Sequence, residues 1–232
     1  MLCISKSKML NAVITYIFGE DKEILREPLV IDSNVEYICI TDQKNLKSNT
    51  WKIIFDEISQ AKCVRDKMVY VKYNPFKYTS ANKICVIDGS LEIKESLLPL
   101  FNQCNNNDIL IKSHTIRDNL YDELNMWIYS RNMSKNTIAN FENMYKSTNI
   151  DLHNKFLIES CVLVLNKTKT TQNLCDLVLE YMQVLGEDSL FLSNQCVLTY
   201  LIQQMQNIKY NFIDQYKYFN RYFHNTNWIN KT

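Results

Sequence analysis

An α/β domain with a mostly parallel sheet flanked by helices, and a helical C-terminal part, is the fold this sequence predicts. The prediction rests on three observations. Apolar, β-branched runs recur along the first half, nearly without polar alternation, as in strands buried on both faces. Helical segments fall between those runs, which is the rhythm of a doubly wound sheet. Several runs stop at a glycine or an aspartate, and ligands of open α/β sheets bind where strands end.

The first strand is expected over Ala12–Phe18, ended by Gly19, and the second over Val35–Thr41, ended by Asp42. Trp51–Phe55 reads as a third, and 59–72 as a helix carrying Lys62, Arg65, Lys67 and Lys72. The fourth, 83–88, ends in Asp88 and is followed by Gly89. Residues 91–103 read as a short or broken helix because Pro99 lies within them. Asn105–Asp108 is a turn before a strand at Ile109–Ile111, and Tyr121–Tyr129 and Asn136–Ser147 read as amphipathic helices. Ser160–Leu165 is a further strand, and two helices separated near Gly186–Asp188 fill 171–206. The aromatic-rich tail, 208–232, has weak periodicity. Without a repeat or a long linker, 1–232 parse as one domain, with a ligand-binding half over about 11–125 and a helical half over about 126–232.

Composition narrows the function. A chain of 232 residues can bury a sizeable core. Its formal net charge of +1 gives no general attraction to nucleic acid, so no nucleic-acid partner is expected. The 8 Cys include no CxxC pair, and Cys39, Cys85, Cys161 and Cys196 sit in apolar runs, so reduced thiols in a cytoplasmic protein are expected. No run approaches the roughly 20 apolar residues of a spanning helix, which leaves peripheral association at the inner face of the membrane. Dinucleotide-fold, P-loop, serine-hydrolase and zincin signatures are missing.

The candidate chemistry lies at strand ends. Asp42 and Asp88 put two carboxylates near one sheet edge if their strands are neighbours; as turn or cap aspartates they would be structural. Lys67, Lys72 and Lys77 are near that edge, as phosphate contacts or as a solvated helix face. His114, Arg117, Tyr121 and Glu123 form a polar cluster after the short strand at 109–111. His224 is a candidate to return from the tail.

Ordered blocks then carry a resemblance. Phe18-Gly19 with Leu25-Arg26-Glu27-Pro28, Thr41-Asp42 with Trp51, Lys72-Tyr73-Asn74-Pro75-Phe76-Lys77-Tyr78 and Ile87-Asp88-Gly89-Ser90 follow one another. Lys112, His114, Arg117, Tyr121 and Glu123 come next, and Ser193-Asn194-Gln195 closes the series. Together, over about 11–200, they resemble the glycosyltransferase-like domain family of plant mucilage-pathway proteins and bacterial polysaccharide loci. Phe76 stands for a histidine of that pattern, Ser90 for an asparagine, Ser113 is inserted, Thr115 and Asn119 depart, and only Gln195 survives of an R-D-Q block.

The resemblance implies a GT-A-like, Rossmann-type fold and transfer of a sugar from a nucleotide-diphospho-sugar, a UDP-sugar first among them. The acceptor would be a glycan or a glycolipid in polysaccharide biosynthesis. Donor binding would fall to Thr15, Tyr16, Phe18, Asp42, Lys72, His114 and Arg117, and the acceptor side to Asn194 and Gln195. Asp88 would be catalytic and, with His224, would hold a divalent cation, Mn²⁺ or Mg²⁺. Glu123, Glu159 and Asp188 are candidates to activate the acceptor hydroxyl. A non-catalytic carbohydrate- or partner-binding protein on the same fold is the alternative.

Overall fold

The computed structural model describes residues 11–19, 24–131, 134–148, 150–185, 194–213 and 220–225. A mixed sheet of seven strands runs through it. In chain order these are β1 (Asn11–Ile17), β2 (Val35–Thr41), β3 (Lys52–Phe55), β4 (Lys83–Ile87), β6 (Ile109–Ser113), β7 (Ile158–Asn166) and β8 (Tyr210–Ile213). A separate ribbon pairs β5 (Leu91–Ile93) with β9 (Phe223–Asn225) antiparallel. The large sheet has the order β3-β2-β1-β4-β7-β6-β8. Its β1–β2, β1–β4, β2–β3 and β6–β8 pairs are parallel, whereas β7 runs antiparallel to both β4 and β6.

Alternation along the strands divides the core. Ile14, Tyr16 and Phe18, with Ile38, Ile40, Ile84 and Val86, face a large cluster that takes in helices α1 (Val64–Tyr73), α3 (Leu120–Arg131), α4 (Lys135–Lys146), α5 (Lys169–Leu185) and α6 (Asn194–Gln204). Val13, Ile17, Cys39, Cys85 and Ile87 face a smaller one with α2 (Leu98–Gln103), Trp51 and the β5–β9 ribbon. Both faces being covered explains why the strands read as unbroken apolar runs.

Several expectations change at this level. The helix expected over 59–72 begins only at Val64, after a turn in which Ile58 has a φ of 48° and Asp56 Oδ1 accepts from the Ile58 amide. Residues 91–93 are a strand rather than helix, because Leu91 and Ile93 bury one face of a ribbon closed by the tail; Pro99 then opens α2 in its first turn. The tail, whose periodicity is weak, contributes both β8 and β9. The sheet is mostly parallel, as expected, and its one reversed strand among the described residues is Ile158–Asn166, which inserts backwards between β4 and β6. No disulfide joins the seven described cysteines, and no helix among the described residues is long and apolar enough to cross a membrane.

Candidate active site

The reversed strand β7 builds the site. Its N-terminal end arrives beside the carboxyl ends of β4 and β6, so that the Asp88 amide donates to the Cys161 carbonyl at 2.9 Å and the His114 amide to the Leu157 carbonyl at 2.8 Å. Its register sets Lys112 opposite Glu159. Around this junction lies a cavity of about 180 Å³ whose walls include Lys72, Asp88, Arg117, Glu123, Glu159 and Gln195, with His114, Ser160 and Asn194 beside them.

Lys72 is the buried centre of one half. It comes from the last turn of α1, is 3% exposed, and lies 3.0 Å from Asp88 Oδ1 and 3.4 Å from Ser160 Oγ. Tyr16, one strand away on β1, donates its hydroxyl to the same Asp88 oxygen. Burial first, and then the negative charge of Asp88, push the Tyr16 phenol well above its usual range, so Tyr16 is a permanent donor. Ser160 in turn donates to Asn194 Oδ1 at 2.6 Å, and Tyr73 donates to that oxygen at 3.3 Å. A solvated helix face for Lys72 is therefore incorrect: the lysine is drawn inside by the Asp88 carboxylate and the Ser160 hydroxyl.

The other half is a clasp around Glu123, which is fully buried in the first turn of α3. Arg117 Nε donates to one of its oxygens and Gln195 Nε2 to the other. His114 lies between N–H donors: its Nδ1 accepts from the amides of Ile116 and Arg117, at 3.2 and 3.1 Å, and its Nε2 is 3.1 Å from Arg117 Nη2. A ring that accepts at Nδ1 is neutral and carries its proton on Nε2, since an imidazolium has no lone pair for the amides. Burial chiefly, with the Arg117 and Lys112 charges against the opposing pull of Glu123 and Glu159, depresses the His114 pKa, so the ring is neutral. Nearby, Lys112 is paired with Glu159, which also accepts from Thr115 at 3.2 Å. Burial raises the Glu159 pKa, but Lys112 outweighs it and holds the carboxyl below the ordinary range.

Asp42 is elsewhere. The order β2-β1-β4 sets β1 between the two aspartate-bearing strands, about 10 Å across at normal strand spacing. Asp42 accepts from the Gly19 amide at 3.0 Å and from Lys67 at 2.8 Å, and it lines a second cavity, of about 540 Å³, with Gly19 and Gln43–Lys47. The two carboxylates stand at the same carboxyl edge of the sheet, but because β2 and β4 are not neighbours they open on different cavities. Burial raises the Asp42 pKa while Lys67 and the Gly19 amide more than reverse it, so it is lowered overall.

Of the remaining candidates, Thr15 and Phe18 are buried and line neither cavity. Tyr121 leaves the His114 cluster: it is 45% exposed, its ring 4.6 Å from that of His153. Lys77 binds Asp56 at 2.8 Å, at the exit of β3. Asp188 and the His224 side chain lie outside the described residues, although the His224 backbone pairs with Glu92, just after Asp88. Other blocks of the sequence pattern are structural. Glu27 accepts from Ser48 at 2.6 Å and from the Asn49 amide at 3.0 Å, and Trp51 Nε1 donates to the Arg26 carbonyl at 2.8 Å, which clamps the entry to β3.

Three participants escaped sequence reasoning: the Lys72–Asp88 pairing, Ser160, and the Lys112–Glu159 pair. The last had a signal, since Lys112 continues the apolar strand Ile109-Leu110-Ile111. A charge in such a run must find a partner.

A divalent cation needs free, hard oxygens. Among the described residues no three His, Cys, Asp or Glu side chains gather as a ligand set. Asp88 Oδ1 is taken by Lys72 and Tyr16, Glu123 by Arg117 and Gln195, and Glu159 Oε2 by Lys112 and Thr115. A dication on the other Asp88 oxygen would stand a few ångström from the Lys72 ammonium. Two such charges roughly 4 Å apart repel by about 8 kcal/mol at an effective dielectric of 20. The described residues do not suit a metal as they stand.

Comparison with solved structures supplies the fold type. Mouse xyloside xylosyltransferase 1, in its apo form, superposes with a TM-score of 0.50 at 10% identity, covering 88% of this chain and 84% of the other. The fold is that of the GT-A glycosyltransferases. The bifunctional glycosyltransferase WbbM also superposes, with a TM-score of 0.50 at 11% identity, covering 93% of this chain and 40% of WbbM. No family model matches the sequence, and no curated protein sequence does. In this GT-A-like frame the 180 Å³ cavity sits at the carboxyl edge of the central parallel strands, the expected ligand position for open α/β sheets.

Proposed function

We propose that the chain is a glycosyltransferase that moves a sugar from a nucleotide-diphospho-sugar, a UDP-sugar in the first instance, to a glycan or glycolipid acceptor in polysaccharide biosynthesis. The observation that carries this is the convergence of Lys72, Asp88 and Arg117 on one cavity at the strand ends of a GT-A-like sheet. In the reaction, the bond from the sugar C1 to the diphosphate oxygen breaks, an acceptor hydroxyl oxygen bonds to C1, and the hydroxyl proton is released.

Within this reading the residues divide by geometry. Lys72 and Arg117 would face charge growing on the leaving diphosphate, preorganised by Asp88 and Glu123 so that little reorganisation is needed. Tyr16 orients Asp88. Glu123, buried and clasped on both oxygens, is a positioning residue rather than a free base. Glu159 and Asp88, each partly exposed beside the cavity, remain the described carboxylates with access to an acceptor. The larger cavity next to Asp42 and Gly19 would take the nucleoside, with Asp42 on the base or ribose.

Calorimetric titration with a panel of UDP- and GDP-sugars, followed by assay of nucleotide release, tests the proposal. Binding of one donor and its turnover are expected; folded protein that binds none of them refutes it. The second reading, a non-catalytic sugar- or partner-binding protein, draws on the observation that all three cavity carboxylates are ion-paired. Turnover that disappears in Asp88→Asn while the protein stays folded would eliminate that alternative.

A further inference from the structure

We propose that the site binds the donor diphosphate without a divalent cation, using the Lys72 ammonium and the Arg117 guanidinium in the cation's stead. The inference rests on the glycosyl-transfer reading and deepens it. Its first support is the state of the acids. After the ion pairs, the described cavity offers one oxygen of Asp88 and one of Glu159, and each belongs to a carboxylate that a lysine already neutralises. That is a poor cage for a dication, whose ligands must be free oxygens.

The second support is the state of the donors. The Lys72 ammonium, with three N–H groups, is ion-paired with Asp88 at 3.0 Å and donates one hydrogen bond to Ser160, which leaves donor capacity facing the cavity. Arg117 uses Nε on Glu123, and its Nη2 lies 3.1 Å from His114 Nε2, which leaves both Nη1 donors without a described protein partner. Both residues line the cavity. Unsatisfied, charged N–H donors held at fixed positions fit phosphate oxygens, and arginine can do so bidentately.

The third support is rigidity. The Lys72 ammonium is held by Asp88 and Ser160 and lies 6.0 Å from the centroid of the Tyr16 ring. An ammonium fixed in this way loses little side-chain entropy on binding, the feature that makes a preorganised point charge able to replace a recruited one. On departure of the nucleoside diphosphate, the growing negative charge would be met by these N–H groups, with no change in redox state and no co-reactant beyond the acceptor hydroxyl.

The test titrates the EDTA-treated full chain with UDP and with GDP, in EDTA and again with added Mn²⁺, alongside a Lys72→Gln/Asp88→Asn double variant. The double change removes both charges of the pair and so avoids stranding a carboxylate; circular dichroism checks its fold. Arg117→Lys serves as a second variant that keeps the charge but not the fork. Expected are equal affinities in EDTA and in Mn²⁺, and a loss of about tenfold or more in the double variant, the size of one charge-assisted hydrogen bond. Binding that requires Mn²⁺, or a folded double variant that binds as the parent does, overturns the inference while leaving the glycosyl-transfer reading intact. No binding of either nucleotide in either condition refutes that reading, and this inference with it.

Discussion

Glu123 illustrates how a single residue organises the site. It is fully buried, yet its charge is met by Arg117 on one oxygen and Gln195 on the other, so α3, α6 and the loop after β6 are joined through one carboxylate. Glu123→Gln would leave the Arg117 guanidinium without its counter-charge in a buried site. Because breaking a buried pair costs more than deleting it, the single variant should lose about 3 kcal/mol, and Arg117→Met/Glu123→Leu should lose less. Urea midpoints of the two variants measure this. A single variant as stable as the parent would show that Arg117 finds another partner. His114, Arg117 and Glu123 were legible as a cluster from their spacing; Gln195 as the fourth member was legible only as an isolated survivor of a pattern. Tyr121, equally well spaced, is outside, because the turn before α3 rotates it toward His153.

At the scale of elements, the strands of the parallel half were readable because burial on both faces writes itself as continuous apolar sequence. The helix α4 was readable from its amphipathic pattern, and the structure adds a cap: Ser134 accepts from the Thr137 amide at 3.1 Å, a local contact that depends on neighbours in sequence. Ser134→Ala should therefore cost about 1 kcal/mol, seen as a fall of ~2–4 °C in Tm for a chain of this size. An unchanged Tm would mean that the packing of Phe141 and Tyr145 alone holds the helix. The ribbon β5–β9 and the edge strand β8 were not readable. Each is short, and each is a strand only because a distant segment supplies its hydrogen bonds: Leu91 faces Asn225, and Ile109 faces Tyr210.

The whole molecule carries a network of paired acids, and this sets its response to pH. Asp42, Asp56, Glu27 and Glu159 all have lowered pKa values; in each case burial works against the shift, and lysines, amides or hydroxyls exceed it. A folded value below the unfolded one means that the stabilisation is complete above the ordinary carboxylate range and disappears as pH falls through it toward the lowered folded values. The depressed His114 adds to this from about pH 6.5 downward, because the unfolded chain gains a proton that the folded one refuses. Thermal unfolding followed from pH 7 to 3 should show a falling Tm, first gently and then steeply below about pH 5. Lys67→Met, by removing the partner of Asp42, should lower Tm at pH 7 and flatten the acid limb. A Tm independent of pH across this range would contradict the paired-acid picture.

By itself the sequence determined the parallel strands, their ends at Gly19, Asp42 and Asp88, and the polar cluster after β6, since periodicity and turn chemistry act over a few residues. Which acids share a cavity was decided by tertiary structure alone. The strand order puts β1 between Asp42 and Asp88, and the reversal of β7 brings Glu159 and Ser160 to the edge where Lys72 is buried. Strand order and direction arise from pairings between segments far apart in the chain, and local patterning does not encode them.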